Sequence, residues 1–473
     1  MAAHIDLLDD KIGDGVERLI VGHHRRRLAR HGWAHALDPP AGSLWCSGEP
    51  APRDGNRVEL LVDGSEALPA IAEAIAGAKH SVLLAGWAFT PSFRLAHGGP
   101  TLRELLAETA AQADVRVLAW AGAPLPLFSP SRSTVRAARE TLVRGTRIRM
   151  ALDSRERPMH CHHEKIVVVD GRVAFVGGID LTDLAGDRLD TPDHPARGAV
   201  GWHDATVRLE GPVVDDVAAH VALRWLEVTG ERIDAPANDP VDDGIRAQLV
   251  RTVPNGVYDA LPQGDFRILE AYVRALRSAE HLIYLENQFL WSPELVEVLV
   301  AKLRRPPSDS FRLVVVLPSR PNDGADDTRG QLGRLVQADS DRRLLACTIH
   351  QPGHAEQVYV HAKIGIVDDR WLCVGSANLN EHSLFNDTEA CVITCDEDTA
   401  RAARHRLWRE HLERDDVSDD PHRVVDDVWA PLARDGLERR RRGGAPHRLA
   451  LLPQVSRRSR AFLGPLNGLL VDG

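Results

Sequence analysis

Long apolar runs are missing from this sequence. No stretch approaches the roughly 20 apolar residues that a membrane-crossing helix needs. Residues 1–15 lack the basic start and apolar centre of a secretory leader. Cysteine is sparse: Cys46, Cys161, Cys347, Cys373, Cys391 and Cys395 show no framework spacing. Four of them lie in or beside strand-like apolar runs, which predicts buried free thiols. A cytoplasmic protein in a reducing compartment is expected, with peripheral contact to a membrane surface. Positive charge is also short, because the formal net charge is -10. That excludes a general electrostatic grip on nucleic acid. Lysine is scarce as well, with five among 58 Lys and Arg residues. Two of the five, Lys165 and Lys363, hold matching places in a repeated motif. A chain that otherwise uses arginine needs a compact ammonium there, not a planar fork.

The motif reads His-x-Lys-x₄-Asp. Its first copy is His163, Lys165 and Asp170, and its second is His361, Lys363 and Asp368. After six intervening residues each aspartate is followed by Gly177-Gly178 or Gly375-Ser376. The repeat extends well beyond the motif. From Val58 a strand–helix rhythm begins: VELLV, ALPAIAEAIAGA, SVLLAGWAF, TLRELLAETAAQA, VRVLAWAG. From Arg246 it recurs as RAQLVRTV, FRILEAYVRALRSA, HLIYLENQFL, ELVEVLVAKLRR, FRLVVVLP. Shifted by about 200 residues, Ala74 meets Ala275, His80 meets His281 and Val82 meets Ile283. The chain is therefore read as α/β, with two tandem pseudo-symmetric lobes sharing one cleft. Residues 1–57 form a helical appendage, 58–230 the first lobe and 231–245 an acidic, proline-bearing linker. Residues 246–415 form the second lobe and 416–473 a C-terminal tail wrapping the surface, with a late apolar patch at 466–471 docked on the body. The basic run His23-His24-Arg25-Arg26-Arg27 is expected to be a solvated helix face.

Each motif copy is expected on a strand, where His and Lys two apart share a face. If the lobes close face to face, two imidazoles and two ammonium groups converge. That set suits a phosphodiester. One neutral imidazole attacks phosphorus, the other, protonated, serves the leaving alkoxide, and the lysines hold the equatorial oxygens. Asn378 adds a neutral donor. Each histidine also needs a partner on its other nitrogen to fix its tautomer. Asp204 and Glu389, each opening an apolar strand after a loop, are the candidates. The run His160-Cys161-His162-His163 could be read as zinc ligands. Adjacent strand residues face opposite ways, however, and no second ligand cluster is visible, so no metal and no cofactor are expected.

These residues resemble the phospholipase D superfamily, in particular its eukaryotic-type and related bacterial branch. The likeness covers roughly residues 58–415 and includes GGIDLTDLAGDRLDTPDHP (177–195), GWHDATVRLEGPVVDDV (201–217), IYLENQFL (283–290) and GSANLNEHSLFNDTEA (375–390). The resemblance implies a two-lobed α/β sandwich, a phosphohistidine intermediate and no obligatory metal. By it, His163 is the nucleophile and His361 the general acid and then base. Lys165, Lys363 and Asn378 bind phosphate, Asp170 and Asp368 brace the site, and Asp204 and Glu389 orient the histidines. Asp180 stands where many members carry Asn. No lipid-targeting module of the eukaryotic kind is visible. The implied reaction is phospholipid headgroup hydrolysis, phosphatidylcholine-like to phosphatidic acid, or transfer to a primary alcohol, by a monomer. Cardiolipin-synthase-like phosphatidyl transfer and a non-catalytic lipid-phosphate scaffold are the alternatives. A nuclease is disfavoured by the acidity and by the lack of an aromatic-basic groove.

Overall fold

A computed structural model of the chain describes residues 2–124, 129–157, 160–186, 201–234, 237–319, 325–351 and 357–452. Strands are numbered in chain order. The first half supplies β1 (Arg53–Val62), β2 (Ser81–Gly86), β3 (Asp114–Trp120), β4 (Arg149–Asp153), β5 (Ile166–Val169), β6 (Val173–Gly177), β7 (Trp202–His203) and β8 (Ala205–Glu210). The second supplies β9 (Ile245–Val253), β10 (Asp265–Phe266), β11 (Leu282–Glu286), β12 (Arg312–Val316), β13 (Leu344–Ile349), β14 (Tyr359–Val360), β15 (Ile364–Val367), β16 (Trp371–Gly375), β17 (Glu389–Thr394) and β18 (Leu449–Leu451).

Period-two alternation builds the layers. Along β2, Leu83 and Ala85 enter one core while Val82 and Leu84 enter another. Along β11, Leu282 and Tyr284 join the first of these cores, and Ile283 and Leu285 face a third. Strands apolar on both sides must be covered on both faces. Helices cover the outer faces, for example Asp63–Ala76 on the first lobe and Arg267–Ser278 on the second. The inner faces of both half-sheets share one core with helices Val213–Thr229 and Glu397–Leu412.

The duplication is visible strand by strand. The first lobe runs β1-β8-β6-β5-β2-β3-β4 and the second runs β9-β17-β16-β15-β11-β12-β13. The halves join where β1 pairs antiparallel with β9, Arg53 opposite Ala247. The α/β reading and the two matching lobes hold.

The ends of the chain depart from expectation. Helix Ala2–Arg30 belongs to the body at its C-terminal half. His24 Nδ1 meets Glu294 Oε1 at 2.7 Å, Arg27 donates to Asn255 Oδ1 at 2.7 Å, and Leu28 sits in the second lobe's outer core. The basic run is therefore only partly solvated: a helical period places residues three apart on one face, here turned inward. Likewise, residues 416–452 are not a surface tail. Trp429 is buried against Trp408, ring centroids 5.5 Å apart, and β18 pairs antiparallel with β13 as an edge strand. The apolar patch at 466–471 lies outside the described residues. The cysteines are reduced, and all are buried except the half-buried Cys395.

Candidate active site

The motif histidines and lysines lie just ahead of strands, not within them. Strand β5 opens at Ile166 and β15 at Ile364, so each His-x-Lys occupies the short approach. That approach pairs with the opposite lobe. The His163 N–H donates to the Thr388 carbonyl at 2.9 Å, beside a parallel bridge between His162 and Thr388. In the other copy, the His361 and Ala362 N–H groups donate to the His203 carbonyl at 2.8 and 3.0 Å, following the parallel β7–β14 pair. Thr388 precedes Glu389, and His203 precedes Asp204. Hence each motif is held against the segment of the other lobe that carries Glu389 or Asp204.

The side chains follow this crossing. His163 Nδ1 faces Glu389 Oε1 at 3.0 Å, and His361 Nδ1 faces Asp204 Oδ2 at 2.6 Å. Both carboxylates were expected beside the histidines, but sequence did not assign which serves which. The Gly-Gly versus Gly-Ser difference now has a cause. The Ser376 hydroxyl donates to Glu389, and Ser383 adds a second bond at 2.5 Å. At Gly178, a Cβ would overlap the carboxylate of Asp204. The lobe that supplies aspartate needs the space, whereas the lobe that supplies glutamate needs the hydroxyl.

The lysines are equally matched. Lys165 Nζ donates to the His163 carbonyl at 2.8 Å and lies 3.2 Å from Asp180 Oδ2. Lys363 Nζ donates to the His361 carbonyl and reaches Gln288 Oε1 at 3.5 Å. Asn378 Nδ2 lies 3.4 Å from the same oxygen. All eleven of these polar side chains are buried. Trp202 lies across His361, ring centroids 4.4 Å apart.

Charge is distributed unevenly over the two halves. Burial pushes the Glu389 carboxyl well above its ordinary range, against the Lys165 ammonium and two serine hydroxyls. Burial also raises Asp204, but His361 and Lys363 outweigh it and hold this carboxyl below its ordinary value. His361 itself is pushed down to about 3, first by burial and then by Lys363, with Lys165 adding to it. The pair is therefore an ionised Asp204 accepting the Nδ1–H of a neutral imidazole. Lys165 of one lobe perturbs His361 of the other, so the two halves form one electrostatic site. Burial raises the Asp180 carboxyl, and the Lys165 ammonium opposes the rise.

Asp170 and Asp368 are not at the centre. Each follows the far end of its strand, seven residues or roughly 20 Å of extended chain from its histidine. Asp170 accepts the backbone N–H groups of Lys79, His80 and Ser81, and Asp368 those of Glu280, His281 and Leu282. Both adopt positive φ, 53°. The motif aspartate closes the turn beneath the helix-to-strand junction and does not touch the reacting centre.

The run His160-Cys161-His162-His163 does not gather as one ligand set. Cys161 packs with Trp87 and Trp120, His162 Nε2 faces Asp153 at 3.1 Å, and His163 faces Glu389. His160 turns instead toward His382 and Asp387. Sequence reasoning missed Gln288, Ser376, Ser383 and Trp202 as site residues, along with this triad. Gln288 carried a signal, since it lies in the quoted block 283–290.

Comparison with known proteins agrees with this geometry. A family model described as "Phospholipase D" matches residues 74–201, and one described as "Cardiolipin synthase, PLD-like domain" matches residues 272–410. Phospholipase D A of Dictyostelium discoideum is 27% identical over 76% of this chain and 36% of its own length. Phospholipase D alpha 1 of Nicotiana tabacum is 24% identical over 78% of this chain and 68% of its own. This chain thus spans about a third of the former relative. The crystal structure of phosphatidylserine synthase from Haemophilus influenzae Rd KW20 superposes with a TM-score of 0.51 at 12% identity, covering 75% of this chain and 86% of that one, and shares the fold. The paired lobes, the two intact motifs and these matches place the chain in the phospholipase D superfamily.

Proposed function

We propose that the protein is a phospholipase D-type phosphodiesterase that releases or exchanges the headgroup of a diacyl phospholipid. The crossed pairing of His163 with Glu389 and His361 with Asp204 carries the reading. It supplies two imidazoles with fixed tautomers beside two lysines. His163, oriented through Nδ1, attacks phosphorus with Nε2. The P–N bond forms as the P–O bond to the headgroup breaks, and His361 Nε2–H protonates the departing alkoxide. Water or a primary alcohol then gives its proton to His361 and attacks phosphorus, breaking the P–N bond. Lys165, Lys363 and Asn378 hold the phosphoryl oxygens. In the free site His361 is neutral, because burial and the two lysine charges hold its proton off. A bound phosphodiester anion offsets their charge and restores its proton, so the acid is armed by substrate. The ionised Asp204 suits an imidazolium partner and the raised Glu389 a neutral one. This difference favours His163 as nucleophile.

The test is a panel of diacyl phospholipids, with and without a primary alcohol, scored for released headgroup, phosphatidic acid and phosphatidyl alcohol. Headgroup release that disappears in His163→Asn is expected. Absence of turnover on every phospholipid would remove the reading. A second reading, phosphatidyl transfer between two phosphatidylglycerols, is favoured by the match of residues 272–410 to the cardiolipin-synthase-type family model. Formation of cardiolipin and glycerol from phosphatidylglycerol alone would select it. No helix among the described residues is long and apolar enough to cross a membrane.

A further inference from the structure

We propose that His160, His382 and Asp387 form a site for one divalent first-row transition cation, with zinc the best fit. The ligands come from both lobes. His160 lies on the approach to the first motif, while His382 and Asp387 flank the π-helical turn His382–Asn386 of the second lobe. Isolated π turns are rare and frequent at functional sites.

Geometry carries the assignment. Two ligands about 2.05 Å from zinc at a tetrahedral angle lie about 3.3 Å apart. Here the two Nδ1 atoms are 3.0 Å apart, His160 Nδ1 is 3.5 Å from Asp387 Oδ1, and His382 Nδ1 is 3.9 Å from Asp387 Oδ2. The imidazole spacing is close to the ideal, and one ligand atom from each of the three residues lies within 4.8 Å of the other two. Asp387 is fully buried, and its Oδ1 accepts the Cys161 N–H at 2.9 Å. Its Oδ2 makes no hydrogen bond. A buried carboxylate oxygen with no donor is costly, and a cation shared with the two imidazoles removes that cost. Without the ion, the two rings share one proton. Two imidazoles and one carboxylate suit zinc and its neighbours and disfavour magnesium and calcium, which take oxygen shells. Three protein ligands leave a fourth position, and His160, with 11% of its side chain in solvent, lies on the way in.

The site sits on the crossing itself. Thr388, next to Asp387, accepts the His163 N–H, and Glu389 follows. A bound ion would rivet the first-lobe approach to the second-lobe turn and stiffen the frame around His163. None of the three ligands has a part in the phosphodiester chemistry, so the proposal stands apart from the proposed activity.

Equilibrium dialysis of the full chain against Zn²⁺, with Co²⁺ d–d absorption as a second reading, tests it. One ion per chain is expected. His160→Gln, His382→Gln and Asp387→Asn should each weaken binding at least about 100-fold. His163→Asn should keep the ion while losing turnover, which separates this site from capture by the reaction imidazoles. The thermal midpoint of the natural chain should rise with Zn²⁺, and that of the partly exposed His160→Gln variant should not. Failure of the natural chain to bind Zn²⁺ or Co²⁺ overturns the proposal. So does binding that survives His160→Gln and His382→Gln, or that is lost in His163→Asn.

Discussion

Single side chains decide what this site can do, and they act in crossed pairs. Glu389 and Asp204 touch imidazoles, not substrate, so their loss should leave ground-state binding nearly intact and strike turnover. Glu389→Gln and Asp204→Asn keep size and remove the carboxyl group. Each is expected to lower kcat by about 10²–10⁴-fold with KM little changed. Steady-state kinetics on the phospholipid that the panel selects will check this. A loss below about threefold in both would show that the carboxylates do not set the histidine tautomers. Adding Glu389→Gln to His163→Asn should cost little more, since the two residues work as one unit. At this scale the sequence was legible where the motif repeats: both histidines, both lysines and the two carboxylates that meet the imidazoles could be named. Asp170 and Asp368 belong to the same motif for a different reason. Spacing along the chain holds the motif together, but the two functions lie at opposite ends of a strand.

Elements carry those roles. The short strands β5 and β15 run from the site to a turn that Asp170 or Asp368 closes by accepting three backbone N–H groups. A carboxylate in that position satisfies donors that would otherwise lack partners at the foot of β2 or β11, and it tolerates the positive φ. Asp170→Ala and Asp368→Ala are each expected to cost about 2–3 kcal/mol of stability. Urea denaturation will read this. Turnover per folded molecule should stay within about threefold of the natural chain, because neither residue reaches the centre. A large loss of turnover with an unchanged urea midpoint would place them in the chemistry after all. The helices and strands themselves were readable, because apolar alternation and helical period are local patterns. The N-terminal helix and the segment 421–451 were misjudged for the converse reason. Their sequences are strongly charged, and only a few inward side chains, among them His24, Arg27, Leu28 and Trp429, tie them to the body.

Across the whole molecule, the lobes are joined by continuous sheet, a common inner core and the crossed site. Closing them buries ionisable groups, which couples stability to pH. His361 and His220 are both pushed down to about 3 from 6.5, in each case first by burial. Between these values the unfolded chain binds protons that the folded chain refuses. Their contribution is therefore complete above about pH 6.5 and is lost progressively as pH falls toward 3. Asp204, held below its ordinary 3.8, adds to the loss at the acid end of that range. Glu389, raised well above 4.5, works the other way: it favours the fold at low pH and loses that contribution as pH rises through its elevated value. Asp180 and Glu156 are raised by burial like Glu389, while His411 and His160 are lowered by burial like His361 and His220, so four histidines against three carboxyls predict a urea midpoint that falls from pH 7 to pH 4. His220→Gln should flatten part of the slope. A midpoint that stays level or rises on acidification would contradict the buried neutral imidazoles.

The sequence alone determined the duplication, the α/β layering, the choice of lysine over arginine and the residues that repeat. Each is written in local periodicity or in spacing between copies, and needs no knowledge of which segments meet. Tertiary structure decided the partners. Glu389 serves His163 and Asp204 serves His361 because each motif approach pairs with the opposite lobe. The same crossing brings His160 to residues more than 220 positions away. Such pairings depend on how two half-sheets face each other, and that is set by burial summed over the whole core, not by any one stretch of chain.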